Sequence, residues 1–325
     1  MTRFGYTLMT EQSGPRELVE YAQRAEAAGF DFEASSDHYF PWLESQGHSP
    51  YAWGVLAAVS QVTERVELMT YVTCPTTRYH PAVVAQKAAT LQLLSDGRFT
   101  LGLGSGENLN EHVVGEGWPS VAVRQDMLEE AVRIIRELLT GEQTTFDGQW
   151  FRVDSARVWD APDGGVPIGI AVSGDESVSR FAELADHMIT TMPDADLIAS
   201  WDRLHPGGSS RKIGQVPISW DPDKDTAIAR AHDQFRWSGL GWDVNAELPM
   251  PAGFEAATES VRPEDVAETI ACGPDLDALA ESVKPFLEAG FTDIAFVQIG
   301  DEAQEQFLEE AAAPLLERVR ELAGA

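Results

Sequence analysis

The sequence predicts an α/β fold, a closed (β/α)₈ TIM barrel with insertions, and three observations carry that expectation. Short apolar runs alternate with amphipathic helical runs along all 325 residues. About eight such strand–helix units can be counted, which favours a closed parallel barrel over an open sheet. The patches richest in chemical side chains fall where strands give way to loops, the end at which barrel enzymes place their chemistry. A chain of 325 residues exceeds the usual single core, yet barrels of roughly 250 residues or more commonly form one domain, so residues 1–325 are read as a single unit.

Phe4-Gly5-Tyr6-Thr7-Leu8 opens the chain as a strand. Pro15 then starts a helix with Leu18, Val19, Ala22, Ala25 and Ala28 at three- and four-residue spacing. Further strands are expected at 30–36, 66–73, 98–104, 167–172, 187–191, 214–220 and 292–299. Helices are expected at 81–94, 122–140, 176–185, 223–235, 263–270, 275–289 and roughly 301–322. Two stretches break this rhythm. Residues 141–166 carry an Asp147-Gly148 turn between aromatic runs and read as an inserted hairpin. Residues 236–262 are rich in Trp, Gly, Pro and Met with weak periodicity, the mark of a lid or binding segment.

Composition excludes several classes. No run of about 18 apolar residues is present, so no membrane helix is expected. Cys74 and Cys272 are the only cysteines, which argues against a disulfide framework or a cysteine-based zinc site. The N-terminus enters a strand at once and lacks the apolar core of a signal peptide, giving a cytoplasmic expectation. A formal charge of −30 with only four lysines disfavours nucleic acid, which needs clustered cations. An acidic, lysine-poor surface suits a high-salt cytoplasm and an ordinary soluble protein equally well.

Two motifs carry the chemistry. Ser36-Asp37-His38-Tyr39-Phe40-Pro41-Trp42 packs an acid, an imidazole and an indole into a turn after a strand. Alone, His38 reads more readily as an ordinary loop histidine beside a packing tryptophan; the second patch changes that balance. The second patch, Gly102-Leu103-Gly104-Ser105-Gly106-Glu107-Asn108-Leu109-Asn110-Glu111, lets backbone approach a flat ligand closely and sets Glu107 opposite His38 as an acid facing a base. Tight packing at the barrel mouth accounts for its glycines equally well. Val172-Ser173-Gly174 ends a strand before a helix, where free N–H groups make a phosphate seat. Asp175 and Glu176 instead suit the helix dipole and would repel a phosphate. His80 and His112 read as capping or packing residues. Glu107, Glu111 and His112 match no metal-ligand spacing.

Taken together, these motifs resemble those of the coenzyme F₄₂₀-dependent branch of the luciferase-like flavin oxidoreductases, in its glucose-6-phosphate dehydrogenase-like subfamily. The resemblance covers nearly the whole chain, including Pro15-Arg16-Glu17-Leu18-Val19 and Cys74-Pro75-Thr76-Thr77-Arg78-Tyr79-His80-Pro81-Ala82. It implies a luciferase-like barrel, a deazaflavin cofactor with FMN as the alternative, a small-molecule substrate and a homodimer. It further implies that His38 is the base for a substrate hydroxyl, that Trp42 shields the reacting centre, and that Glu107 is an acid beside the deazaflavin. Asp37, Cys74 and Asn110 align with cofactor contacts, and Val172, Ser173 and Gly174 with the phosphate loop. Ser105 and Gly106 complete the cofactor set. Tyr71-Val72 falls where the family carries a non-prolyl cis peptide against the ring.

One departure bears on substrate. Family members that oxidise glucose 6-phosphate hold its phosphate with two lysines and an arginine. The matching neighbourhoods here read Met192-Pro193-Asp194-Ala195-Asp196, Phe254-Glu255-Ala256-Ala257 and Gly273-Pro274-Asp275-Leu276-Asp277. Acids there oppose a phosphate dianion. Lys212, or Arg211, is the one candidate for a replacement cation. The expected reaction is hydride exchange between cofactor C5 and a non-phosphorylated alcohol, carbonyl or activated alkene. Alternatives are an FMN-dependent monooxygenase and a deazaflavin-binding protein without turnover.

Overall fold

A computed structural model of the chain describes residues 1–206 and 209–324. Strand β1 (Arg3–Leu8) pairs in parallel with β2 (Phe32–Ser35), which is followed around the sheet by β3 (Glu67–Thr70) and β4 (Phe99–Leu103). β5 (Thr144–Asp147) and β6 (Arg152–Ala156) form the antiparallel hairpin expected within 141–166. β7 (Ile168–Ala171), β8 (His187–Ile189) and β9 (Lys212–Ser219) continue the parallel sheet. A two-residue strand β10 (Ala271–Cys272) adds to the upper end of β9, and β11 (Asp293–Gln298) joins β9 to β1. That pairing closes the eight-stranded barrel at the positions the sequence indicates.

The alternation of each strand sets two cores. Phe32, Ala34, Met69, Ile189, Ile213 and Ala295 fill the barrel. Phe4, Tyr6, Leu8, Leu68 and Leu101 face outward onto the helices, packing with Leu18, Val84, Ile135 and Leu315. Gly5 makes the inner core possible: a Cβ there would lie 2.5 Å from the Phe32 ring.

Several helices differ from the periodic reading for physical reasons. Ala52–Ser60 is apolar on nearly every side and buried, so it carries no amphipathic signal. The run at 275–289 divides into Leu276–Glu281 and Lys284–Ala289, because Pro285 has no N–H for the carbonyl four residues back. The segment 236–262 folds into short helical turns at Arg236–Leu240, Trp242–Asn245 and Pro251–Ala257. Among the described residues no helix is long and apolar enough to cross a membrane.

Glu33 is an exception to the core's chemistry. It sits mid-strand in β2 on the helix side, fully buried, and neither carboxylate oxygen has a hydrogen-bond partner. Burial pushes its carboxyl well above the usual carboxylate range, with Glu26 adding to the effect and Arg98 opposing it. Folded Glu33 therefore keeps a proton that the unfolded chain releases as pH passes about 4.5. The stability it contributes is full below that pH and falls as pH rises toward the folded value. Glu33→Gln, which does not titrate, should melt at the same temperature as the parent near pH 4 and at a higher one at pH 8; thermal unfolding across that range is the check.

Candidate active site

All the expected site residues lie at the C-terminal ends of the barrel strands. The loop after β2 carries Asp37, His38 and Trp42; the loop after β3 carries Tyr71, Val72 and Cys74. The loop after β4 carries Ser105, Gly106, Glu107 and Asn110, and the one after β7 carries Val172, Ser173 and Gly174. The Tyr71–Val72 peptide is cis, as the resemblance implies.

His38 is held from one side. Its Nδ1 lies 3.1 Å from the Phe40 carbonyl and 3.4 Å from Glu11 Oε1, with the imidazole about one-tenth exposed. A carbonyl only accepts, so Nδ1 carries the hydrogen and Nε2 is left as the basic nitrogen. Glu11 Oε2 accepts hydrogen bonds from the hydroxyls of Ser36 and Thr10, which fix that carboxylate behind the ring. Glu11 is a site residue the motif reading missed. Its only sequence signal is its place just past the end of β1.

Trp42 lies 5.0 Å from the His38 ring, and it is roofed by the lid. Trp237 stacks on it at 4.1 Å and 10°, and Phe254 meets it edge-on at 5.2 Å. The segment 236–262, expected to be a lid, contributes Trp237 and Phe254 to an aromatic box around Trp42 beside the imidazole.

Asn110 ties the two motifs together. Its Oδ1 accepts the backbone N–H groups of Tyr39 at 2.8 Å and Phe40 at 3.3 Å, while its Nδ2 donates to Glu107 Oε2 at 3.3 Å. Asp37 faces inward. Oδ2 accepts from Trp53 Nε1 and Thr73 Oγ1, and Oδ1 from Arg78 Nη2 and the Tyr79 hydroxyl. These four bonds fill the carboxylate's acceptor positions, so its side chain holds the loop rather than a ligand.

The backbone at 104–106 is pressed against the neighbouring loop. A Cβ on Gly104 would lie 2.6 Å from Val72 Cγ2, and one on Gly106, at φ +87°, would lie 2.5 Å from Cys74 Sγ. These glycines let the two loops pack this closely. The Tyr71 hydroxyl is buried without a partner, a polar group left free to meet a polar-edged ring. At the expected phosphate loop, Ser173 and Gly174 N–H groups donate to Ser177 Oγ at 3.1 and 3.2 Å. A phosphate could be held by these N–H groups only in place of that hydroxyl.

Contacts place the remaining histidines and cations. His80 caps its helix by accepting from Ala82 N, and His112 packs against Phe40 with its Nδ1 on the Asn108 carbonyl. No cluster of three or more potential metal ligands occurs among the described residues. Lys212 and Arg211 do not serve the mouth. Both lie at the opposite, N-terminal end of the barrel, where Arg211 pairs with Glu67 and Asp293, and Lys212 with Asp202.

The chain has relatives among known proteins. The luciferase-like monooxygenase family profile matches residues 1–293. The chain belongs to the luciferase-like family. Within it, the chain falls in the F₄₂₀-dependent, glucose-6-phosphate dehydrogenase-like branch. It is 36% identical to an F₄₂₀-dependent glucose-6-phosphate dehydrogenase from Nocardia farcinica, over 98% of each chain. It is 35% identical to one from Microbacterium testaceum, over 98% of this chain and 97% of that one. Among solved structures, an F₄₂₀-dependent secondary alcohol dehydrogenase bound to an F₄₂₀–acetone adduct superposes with a TM-score of 0.90 at 29% identity, covering 98% of this chain and 99% of that one.

Proposed function

We propose that this F₄₂₀-dependent oxidoreductase acts on a neutral, non-phosphorylated alcohol or its carbonyl partner, or on an activated alkene. When bound, the deazaflavin supplies the hydride acceptor or donor at C5. Tyr71, Val72, Cys74, Ser105, Gly106 and Asn110 would hold its ring, and Val172, Ser173 and Gly174 its phosphate. The chain's own work is proton transfer and positioning. His38 Nε2 takes the proton from a substrate hydroxyl, and Glu11 stabilises the imidazolium that results. Glu107, fixed by Asn110, supplies the second proton-transfer group. Trp42 and its lid exclude water from the reacting centre.

The aromatic box over Trp42 carries the substrate class. The only cations in the lid at 236–262 are Arg236 and Arg262, and each is paired with a carboxylate, Glu255 and Asp265. Where cations would be needed, Asp194 and Asp275 cap helices by accepting backbone N–H groups. Apolar walls with few convergent polar groups select a neutral ligand. The names of the relatives from Nocardia farcinica and Microbacterium testaceum favour glucose 6-phosphate as the competing reading.

A homodimer would form on the face of helices Ala52–Ser60 and Pro81–Leu94. In a chain with 53 acids, none lies between Glu44 and Glu64 or between Glu67 and Asp96, so self-repulsion is least there. Tyr51, Val62, Val83, Leu93 and Leu94 are exposed on or beside these helices. Lys87 lies between them, with its ammonium 3.5 Å from the Tyr79 ring centre and 5.0 Å from that of Tyr51, at a cleft of about 290 Å³. Lys87→Glu and Leu94→Glu should convert a sedimenting dimer to monomer; a monomeric parent would refute the face and the dimer together.

Two assays test the reaction. With F₄₂₀ present, secondary alcohols should bleach the cofactor saturably and millimolar glucose 6-phosphate should not; the reverse result assigns the sugar phosphate instead. His38→Ala should lower kcat by about 10² to 10⁴ while F₄₂₀ affinity, read by fluorescence quenching, changes only a few-fold. An unchanged kcat would remove His38 from the proton path.

A further inference from the structure

Glu111 closes the short helix Asn108–Glu111 and is completely buried. Its Oε2 accepts the Arg78 backbone N–H at 2.7 Å. Its Oε1 has no hydrogen-bond partner, and neither does Arg78 Nε, although the two atoms face each other at 3.7 Å. Arg78 instead directs Nη2 to Asp37, reaching the carbonyl at 2.6 Å and Oδ1 at 3.1 Å. One buried guanidinium therefore stands between two carboxylates from different loops, bonded through its side chain to one and poised beside the other.

We propose that Glu111 is a positioning residue for the reaction, setting through Arg78 how the loop bearing Asp37 and His38 seats against the loop bearing Glu107. The proposal rests on the reading of His38 as the proton-transfer group. When Glu111 is neutral, Arg78 belongs to Asp37 alone. When it is ionised, its charge draws Nε across the 3.7 Å gap, and the guanidinium then clamps both loops. Backbone geometry passes the change on: Asp37 immediately precedes His38, and Gly106 packs so closely on Glu111 that a Cβ would lie 3.0 Å from its Cγ.

The switch falls within the working range of pH. Burial pushes Glu111 up to about 7; Arg78 opposes this, while Glu107 and Asp37 add to it. The neighbouring Cys74 thiol is pushed well above its ordinary value by burial and stays neutral. His112, next in sequence, is occupied with Phe40 and the Asn108 carbonyl.

The Arg78 Nε–H resonance of the cofactor-free chain, assigned by its loss in Arg78→Lys, should titrate with a midpoint near 7. A flat resonance overturns the proposal without recourse to any substrate or to a Glu111 variant. In turnover, Glu111→Gln should match the parent at pH 6 and fall below it in kcat by about threefold to tenfold at pH 8, with KM little changed. A kcat–pH profile identical to that of the parent would remove Glu111 from the reaction. Absence of turnover with every alcohol would refute the proposed activity and leave the Arg78 resonance to decide this inference separately.

Discussion

The buried carboxylate of Asp37 is the fixed point on which the site is built. A charge taken out of water is tolerable only when its acceptor positions are filled. Trp53 supplies one donor from a helix, Thr73 a second from the loop after β3, and Arg78 and Tyr79 the remaining two. Stranding such a charge by deleting its cationic partner costs about 3–5 kcal/mol, so these pieces of chain are held together by a penalty larger than any single apolar contact. His38 inherits its place from this anchor as the next residue in the chain, and Trp42 follows in the same loop.

The second constraint is scarcity of positive charge. With 23 basic residues against 53 acidic ones, where each arginine goes decides much of the function. At the bottom of the barrel, Arg3 and Arg211 are shared between Glu67 and Asp293 and join the starts of four strands. At the top, Arg78 serves the anchor and Arg236 fastens two parts of the lid through Glu255. With these cations committed to holding the fold, Trp42 beside His38 is covered by rings, Trp237 and Phe254. The acids at positions 194 and 275 do local work as helix caps.

The barrel was legible in the sequence because strand and helix periods are local properties. All eight barrel strands, the hairpin and the longer amphipathic helices other than Ala195–Leu204 follow from local spacing. Ala52–Ser60 was not legible, since its exposed positions, Gly54 and Ala58, are small and apolar and leave no polar face to set a period. The two motifs were legible as well, as dense polar stretches at strand ends, and their resemblance to a known family supplied the cofactor.

Sequence by itself determined the fold, the family and which segments gather at the C-terminal end of the barrel, because each rests on residues that are neighbours along the chain. Tertiary structure decided their contacts. That Asp37 turns inward, that Glu11 stands behind His38, that Trp237 covers Trp42, and that Lys212 lies at the far end of the barrel all depend on pairs well separated in sequence. Such pairs are brought together by barrel closure, and no local pattern encodes which partner a buried charge or an exposed ring will find.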